Sequence, residues 1–164
     1  MTAPLLVFGW GNLSRGDDAL GPLFVDRLRV MAEQAGLTGM EFLEDYQLQV
    51  EHALDLVGRV RVLFVDASRA CTAPFEATCV SAARDFTFST HAISPACVMQ
   101  AYRELVFSEP PPCTQLAICG LSFELGDLPG LQARDNLERA LVWDMSWLTA
   151  APAPPPTVPE ASHA

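Results

Sequence analysis

Leu5-Leu6-Val7-Phe8-Gly9-Trp10-Gly11-Asn12-Leu13-Ser14-Arg15-Gly16-Asp17-Asp18-Ala19-Leu20-Gly21 carries the strongest structural signal in the chain. The apolar run Leu5 to Phe8 has the pattern of a strand covered on both faces, as in a mostly parallel sheet. A Gly-x-Gly-Asn turn follows, and glycine lets the backbone bend sharply at the strand's carboxyl end, where ligands meet open α/β sheets. Two adjacent carboxylates, Asp17 and Asp18, then stand at the start of a helix. A phosphate-binding loop presents backbone N–H groups there and would be repelled by two negative charges. Ser14 also stands where a G-x-G-x-x-G fingerprint has its third glycine, so a dinucleotide-binding module is the poorer reading. The turn suits a cation, not an anion.

Outward from this segment, Leu20, Leu23, Phe24, Leu28 and Met31 recur at helical spacing, with Pro22 tolerated in the first turn. Met40 to Leu43 reads as a second strand, and Glu51 to Val57 carries a helical pattern ended near Gly58. Val60 to Val65 is the strongest strand, closed by Asp66, and Glu76 to Ala82 gives another. A polar connection from Phe88 to Ser94 holds His91; Ser94 reads as the N-cap of a helix from Pro95 to Val106. Gln115 to Leu121 is the last core strand, and Leu131 to Leu148 an amphipathic closing helix. Strands alternating with helices predict an α/β fold: a three-layer sandwich whose mostly parallel, mixed sheet of about five strands has helices on both faces. One domain over residues 1–150 is expected, followed by a Pro/Ala-rich tail, 151–164, without periodic hydrophobicity and read as disordered.

Half of the 164 residues are hydrophobic, enough for one sizeable core. Twenty acidic against ten basic residues leave a net charge of −10, which argues against nucleic-acid binding and against anionic membranes as partners. No apolar run reaches the ~20 residues that span a bilayer. Five cysteines, Cys71, Cys79, Cys97, Cys113 and Cys119, are odd in number and form no C-x-x-C pair. That argues against a disulfide framework and a thiolate zinc site, favours core packing of the thiols, and makes a reducing cytoplasm the simplest location. Neither a G-x-S-x-G elbow nor an H-E-x-x-H helix is present.

Three polar residues occupy corresponding places: Asp18 after the first strand, Asp66 after the third, and His91 in a later loop. Residues at the carboxyl ends of parallel strands converge on one crevice, and two carboxylates with one imidazole can hold a divalent first-row metal with open positions. Plainer roles stand beside this one. Asp17 or Asp18 equally reads as a cap on the following helix, Asp66 as a turn residue, and His91 as a surface histidine.

The chain resembles the nickel–iron hydrogenase maturation proteases, the endopeptidases that trim the C-terminus of the hydrogenase large-subunit precursor. The likeness lies in Gly9-Trp10-Gly11-Asn12-Leu13 through Asp17-Asp18-Ala19-Leu20-Gly21, in Phe64-Val65-Asp66-Ala67, and in Ser89-Thr90-His91-Ala92-Ile93-Ser94. It covers roughly residues 4–148. Where many members carry Gly-Gly-Thr after the second strand, this chain has Glu44-Asp45-Tyr46-Gln47-Leu48-Gln49-Val50-Glu51-His52, similar to the branch serving soluble, NAD-linked hydrogenases.

The resemblance implies a peptidase of aspartic or metal-dependent type, with Asp18, Asp66 and His91 as both its catalytic and its nickel-contacting residues. The nickel is implied to arrive with the precursor, as recognition element, and the precursor is the implied partner. Either Asp18 or Asp66 is open as general base. A non-catalytic nickel-binding chaperone of hydrogenase assembly would use the same three residues and trim nothing. A serine or cysteine nucleophile is not expected, so thiol alkylation is expected to leave activity intact.

Overall fold

A computed structural model of the chain describes residues 1–84 and 93–150; the predicted tail 151–164 and His91 lie outside the described residues. Five strands, β1 (Leu5–Trp10), β2 (Met40–Asp45), β3 (Arg61–Ser68), β4 (Phe75–Val80) and β5 (Cys113–Cys119), form one sheet in the order β2-β1-β3-β5-β4. The first four in that order run parallel, and β4 closes the edge antiparallel to β5. The expected mixed α/β sandwich is thus the fold. β3 continues two residues beyond Asp66, which pairs with Ala117 of β5 and lies within the strand instead of closing it.

Alternation along β1 explains the layers. Val7 faces a core shared with Leu63 and Val65 of β3, Leu116 and Ile118 of β5, and helices α1 (Leu20–Gln34) and α3 (Leu131–Thr149). Leu6, Phe8 and Trp10 face the opposite core, with Val62 and Phe64, helix α2 (Pro95–Val106) and the 3₁₀ segment Val50–Leu56. Both faces are covered, which is why β1 and β3 read as unbroken apolar runs. Ser94 caps α2 as expected, its hydroxyl accepting the Cys97 N–H at 3.3 Å, with Pro95 in the first turn.

Two glycines let α1 lie close on β1. A Cβ on Gly9 would stand 2.6 Å from the Gly21 carbonyl oxygen, and one on Gly21 would strike the carbonyl oxygen of Trp10. This contact draws the 3₁₀ turn Gly16–Ala19, with its two aspartates, over the carboxyl end of β1. The chain leaves β1 for its outer neighbour β2 by way of α1 on one face. It then passes to β3, on β1's other side, by way of the 3₁₀ segment Val50–Leu56 on the opposite face. The carboxyl ends of β1 and β3 therefore flank the topological switch point, where open α/β sheets leave a crevice.

The cysteines depart from expectation. Cys71 and Cys119 are joined as a disulfide, Cα–Cα 5.7 Å apart, tying the segment after β3 to the end of β5. They lie 48 residues apart in the chain, and only the pairing of β3 with β5 brings them together. Cys113 is buried as expected, whereas Cys79 is exposed on the edge strand. Among the described residues no helix is long and apolar enough to cross a membrane.

Candidate active site

A cleft of about 450 Å³ opens at the switch point, lined by Trp10, Gly11, Asn12, Arg15, Asp18, Tyr46, Gln47, Asp66 and Ala67. Asp18 enters from the 3₁₀ turn after β1 and Asp66 from the carboxyl-terminal part of β3. The structure therefore brings together two of the three sequence-derived candidates; His91 lies outside the described residues. Among the described residues no group of three His, Cys, Asp or Glu side chains gathers to hold a metal.

The adjacent aspartates have separate roles, and neither caps a helix. Asp17, only 1% exposed, turns away from the cleft into the protein. Its Oδ2 accepts the N–H groups of Leu121 and Ser122 at 2.7 and 3.1 Å, and its Oδ1 accepts that of Gly130 at 2.8 Å. Burial alone would push this carboxyl up, but the three backbone donors outweigh it and hold it below its ordinary value. Asp17 thus pins the segment between β5 and α3 to the turn after β1.

Asp18 is half-buried, and its Oδ2 accepts the Asn12 N–H at 2.8 Å. Asn12 fixes the turn in its own right, since its Oδ1 accepts the Ser14 N–H at 2.8 Å. Gly11 has φ of +150°, a conformation other residues rarely adopt, and a Cβ there would collide with the carbonyl oxygen of Asp18. The Gly-x-Gly-Asn sequence is therefore the local reason that the Asp18 carboxylate is presented to the cleft.

Asp66 is pushed up to about 7, first by burial and then by the negative charge of Asp18; the Ala67 N–H opposes both. A carboxyl held there both gives and takes a proton near neutrality, which suits general acid–base work. The two carboxyls together offer oxygen ligands for one divalent cation. Arg15, exposed at the rim, brings a cationic side chain to the cleft lining.

Several wall residues were not singled out from the sequence. Tyr46 and Gln47 follow the carboxyl end of β2, so the rule that located Asp18 and Asp66 points to them as well. His52 holds this wall in place. Its Nδ1 accepts the Gln49 N–H at 2.8 Å, leaving Nε2–H to donate to Asp45 Oδ2 at 3.0 Å. The ring packs against Phe8, with centroids 4.6 Å apart. A smaller hollow of about 260 Å³ adjoins the cleft, sharing Gly11, Asn12 and Tyr46 and continuing to Leu13, Ser14, Pro22, Glu44 and Asp45.

No family model matches the chain, and no curated protein matches its sequence. Solved structures do match its fold. The [NiFe] hydrogenase maturation protease HycI from Thermococcus kodakarensis superposes with a TM-score of 0.67 at 21% identity, over 90% of this chain and 94% of that one. The hydrogenase maturating endopeptidase HybD from E. coli gives 0.67 at 23% identity, over 90% and 92%. A protein of uncharacterized role from Wolinella succinogenes gives 0.56 at 16% identity, over 90% and 99%. The chain is similar in fold to these proteins over nearly their whole length.

Proposed function

We propose that this chain is an endopeptidase that removes the C-terminal extension of a nickel–iron hydrogenase large-subunit precursor after nickel has been inserted. The observation that carries the proposal is the convergence of Asp18 and Asp66 on one cleft at the β1/β3 switch point. Its support is the similarity in fold to hydrogenase maturation peptidases. The Gln47-Leu48-Gln49 and Glu51-His52-Ala53 elements favour a precursor of the soluble, NAD-linked kind.

In this reading the nickel belongs to the substrate. Asp18, Asp66 and His91 contact the ion from one side while the precursor's own thiolates hold it from the other. Carboxylate and imidazole bind nickel less tightly than thiolate, so the peptidase senses the metal without withdrawing it. Water adds to the scissile carbonyl, the C–N bond breaks, and the departing nitrogen takes up a proton. The Asp18–Asp66 pair accepts the water's proton and returns one to the amine. Arg15 at the rim and the Tyr46–Gln47 wall orient the polypeptide.

The test is incubation of nickel-loaded precursor with the purified protein, followed by mass spectrometry of the precursor. Wild-type protein is expected to shorten it at one bond near the C-terminus. Asp18→Ala, Asp66→Ala and His91→Ala are each expected to abolish trimming while circular dichroism stays unchanged. Nickel binding by wild type with the precursor left intact would instead establish the chaperone reading.

A further inference from the structure

Tyr46 and Gln47, which line the cleft, form the crest of a short loop, and one imidazole closes that loop at both ends. Its stems are Asp45, the last residue of β2, and Gln49, at the entry to the 3₁₀ segment Val50–Leu56. His52 Nδ1 accepts the Gln49 N–H at 2.8 Å, and Nε2–H donates to Asp45 Oδ2 at 3.0 Å. The other Asp45 oxygen accepts the Tyr46 N–H at 2.6 Å. The Asp45 carbonyl accepts the N–H of Gly11, itself a cleft residue, at 3.2 Å. Between the stems Leu48, only 1% exposed, is seated in the core on the Phe8 side of the sheet. The imidazole meets Phe8 edge to face, and 13% of the His52 side chain is exposed. His52 is not among the residues that line the cleft, whereas Tyr46 and Gln47 stand exposed there.

We infer that His52 is a positioning residue, a staple that holds Tyr46 and Gln47 ready to receive the polypeptide. This role rests on the peptidase reading and deepens it by naming what orders one wall of the substrate site. Both ring nitrogens are spent on the two residues that flank the crest. Packing on Phe8 alone needs no nitrogen, so it does not account for this use of a polar ring. Without the staple the Gln49 N–H loses its acceptor and the Asp45 Oδ2 its donor, and the crest samples several conformations. The precursor then has to order the loop as it binds, at a cost in affinity. Asp18 and Asp66 are carried by the turn after β1 and by β3, so the reacting groups keep their places. What is lost is binding common to ground state and transition state, which raises KM and leaves kcat. A merely structural role has the opposite signature: a smaller folded fraction lowers the apparent kcat and leaves KM.

The experiment compares wild type with His52→Ala, His52→Asn and His52→Gln. Alanine removes both bonds. The asparagine oxygen stands where Nδ1 does and still accepts the Gln49 N–H, whereas the glutamine NH₂ reaches the place of Nε2–H and still donates to Asp45. Exchange of the Gln49 amide, followed by NMR, reads the staple directly. It is expected to be slower in wild type and His52→Asn than in His52→Ala and His52→Gln. In trimming of nickel-loaded precursor, His52→Ala is expected to raise KM about tenfold, with kcat within about twofold of wild type. The two amide variants should fall between, each restoring part of the loss. An unchanged KM in His52→Ala, a loss confined to kcat, or amide variants no better than alanine would overturn the positioning role. Precursor affinity, measured by biolayer interferometry in an Asp18→Asn background, should follow the same order as KM. That order without any trimming by wild type would sustain the staple and defeat the peptidase reading. Trimming with one KM across all four proteins would do the reverse, so the two fail separately.

Discussion

Asp17→Asn and Asp18→Asn make the sharpest comparison available in this protein, because neighbouring aspartates meet opposite surroundings. Asp17 accepts three backbone N–H groups in a site closed to water. An asparagine keeps one acceptor oxygen, which can serve Leu121 and Ser122 without the assistance of a full charge. Its NH₂ then faces the Gly130 N–H, donor against donor. Hydrogen bonds to a charged acceptor contribute about 1.5–3 kcal/mol each, and a buried donor left unpaired costs about 1–3 kcal/mol. Asp17→Asn should therefore destabilise the domain by about 3–5 kcal/mol, a large share of the 5–15 kcal/mol typical of a native domain. At about 2–4 °C per kcal/mol for this size, the midpoint falls by about 10 °C. Asp18 accepts one N–H, which asparagine still can, and sits beside Asp66, whose repulsion the substitution relieves. Asp18→Asn should stay within about 1 kcal/mol of wild type while losing trimming.

Urea denaturation followed by circular dichroism measures both. The sign with pH is also determined. Asp17 titrates lower folded than its ordinary 3.8, so its contribution is present above that value and lost as pH falls through the folded one. The gap between wild type and Asp17→Asn should accordingly narrow below about pH 4. Equal stability of the two variants, or a gap that widens on acidification, would refute the division of roles.

Other consequences are equally open to measurement. Asp144 of α3 is fully buried, its oxygens have no hydrogen-bond partner among the described residues, and burial pushes it up to about 7 against the opposing charge of Arg61. A carboxyl raised from 3.8 to about 7 gives stability that is full below the lower value and lost as pH rises to the higher. Asp144→Asn should therefore gain about 3 kcal/mol relative to wild type between pH 5 and pH 8 in urea titrations. In Asp18→Asn, Asp66 loses the neighbouring charge, and its carboxyl carbon titration by NMR should move below about 7. Iodoacetamide should label the exposed Cys79 with no loss of trimming, and mass spectrometry should find Cys71 and Cys119 unlabelled until a reductant is added.

Local pattern determined a good deal about this protein. Strand, turn and helix each leave a periodic trace over a few residues, so β1, the glycine turn and α2 behind its Ser94 cap could be read directly. Parallel strands share one carboxyl end, and that rule alone placed Asp18 and Asp66 at the same mouth before any coordinates. What local pattern does not carry is the identity of a distant neighbour. Which of two adjacent aspartates is buried depends on N–H groups more than a hundred residues away, at Leu121, Ser122 and Gly130. The same holds for Cys71 beside Cys119, for Arg61 beside Asp144, and for the antiparallel edge formed by β4. Burial and pairing between remote segments are set by how layers stack, and stacking exists only once the chain has closed on itself.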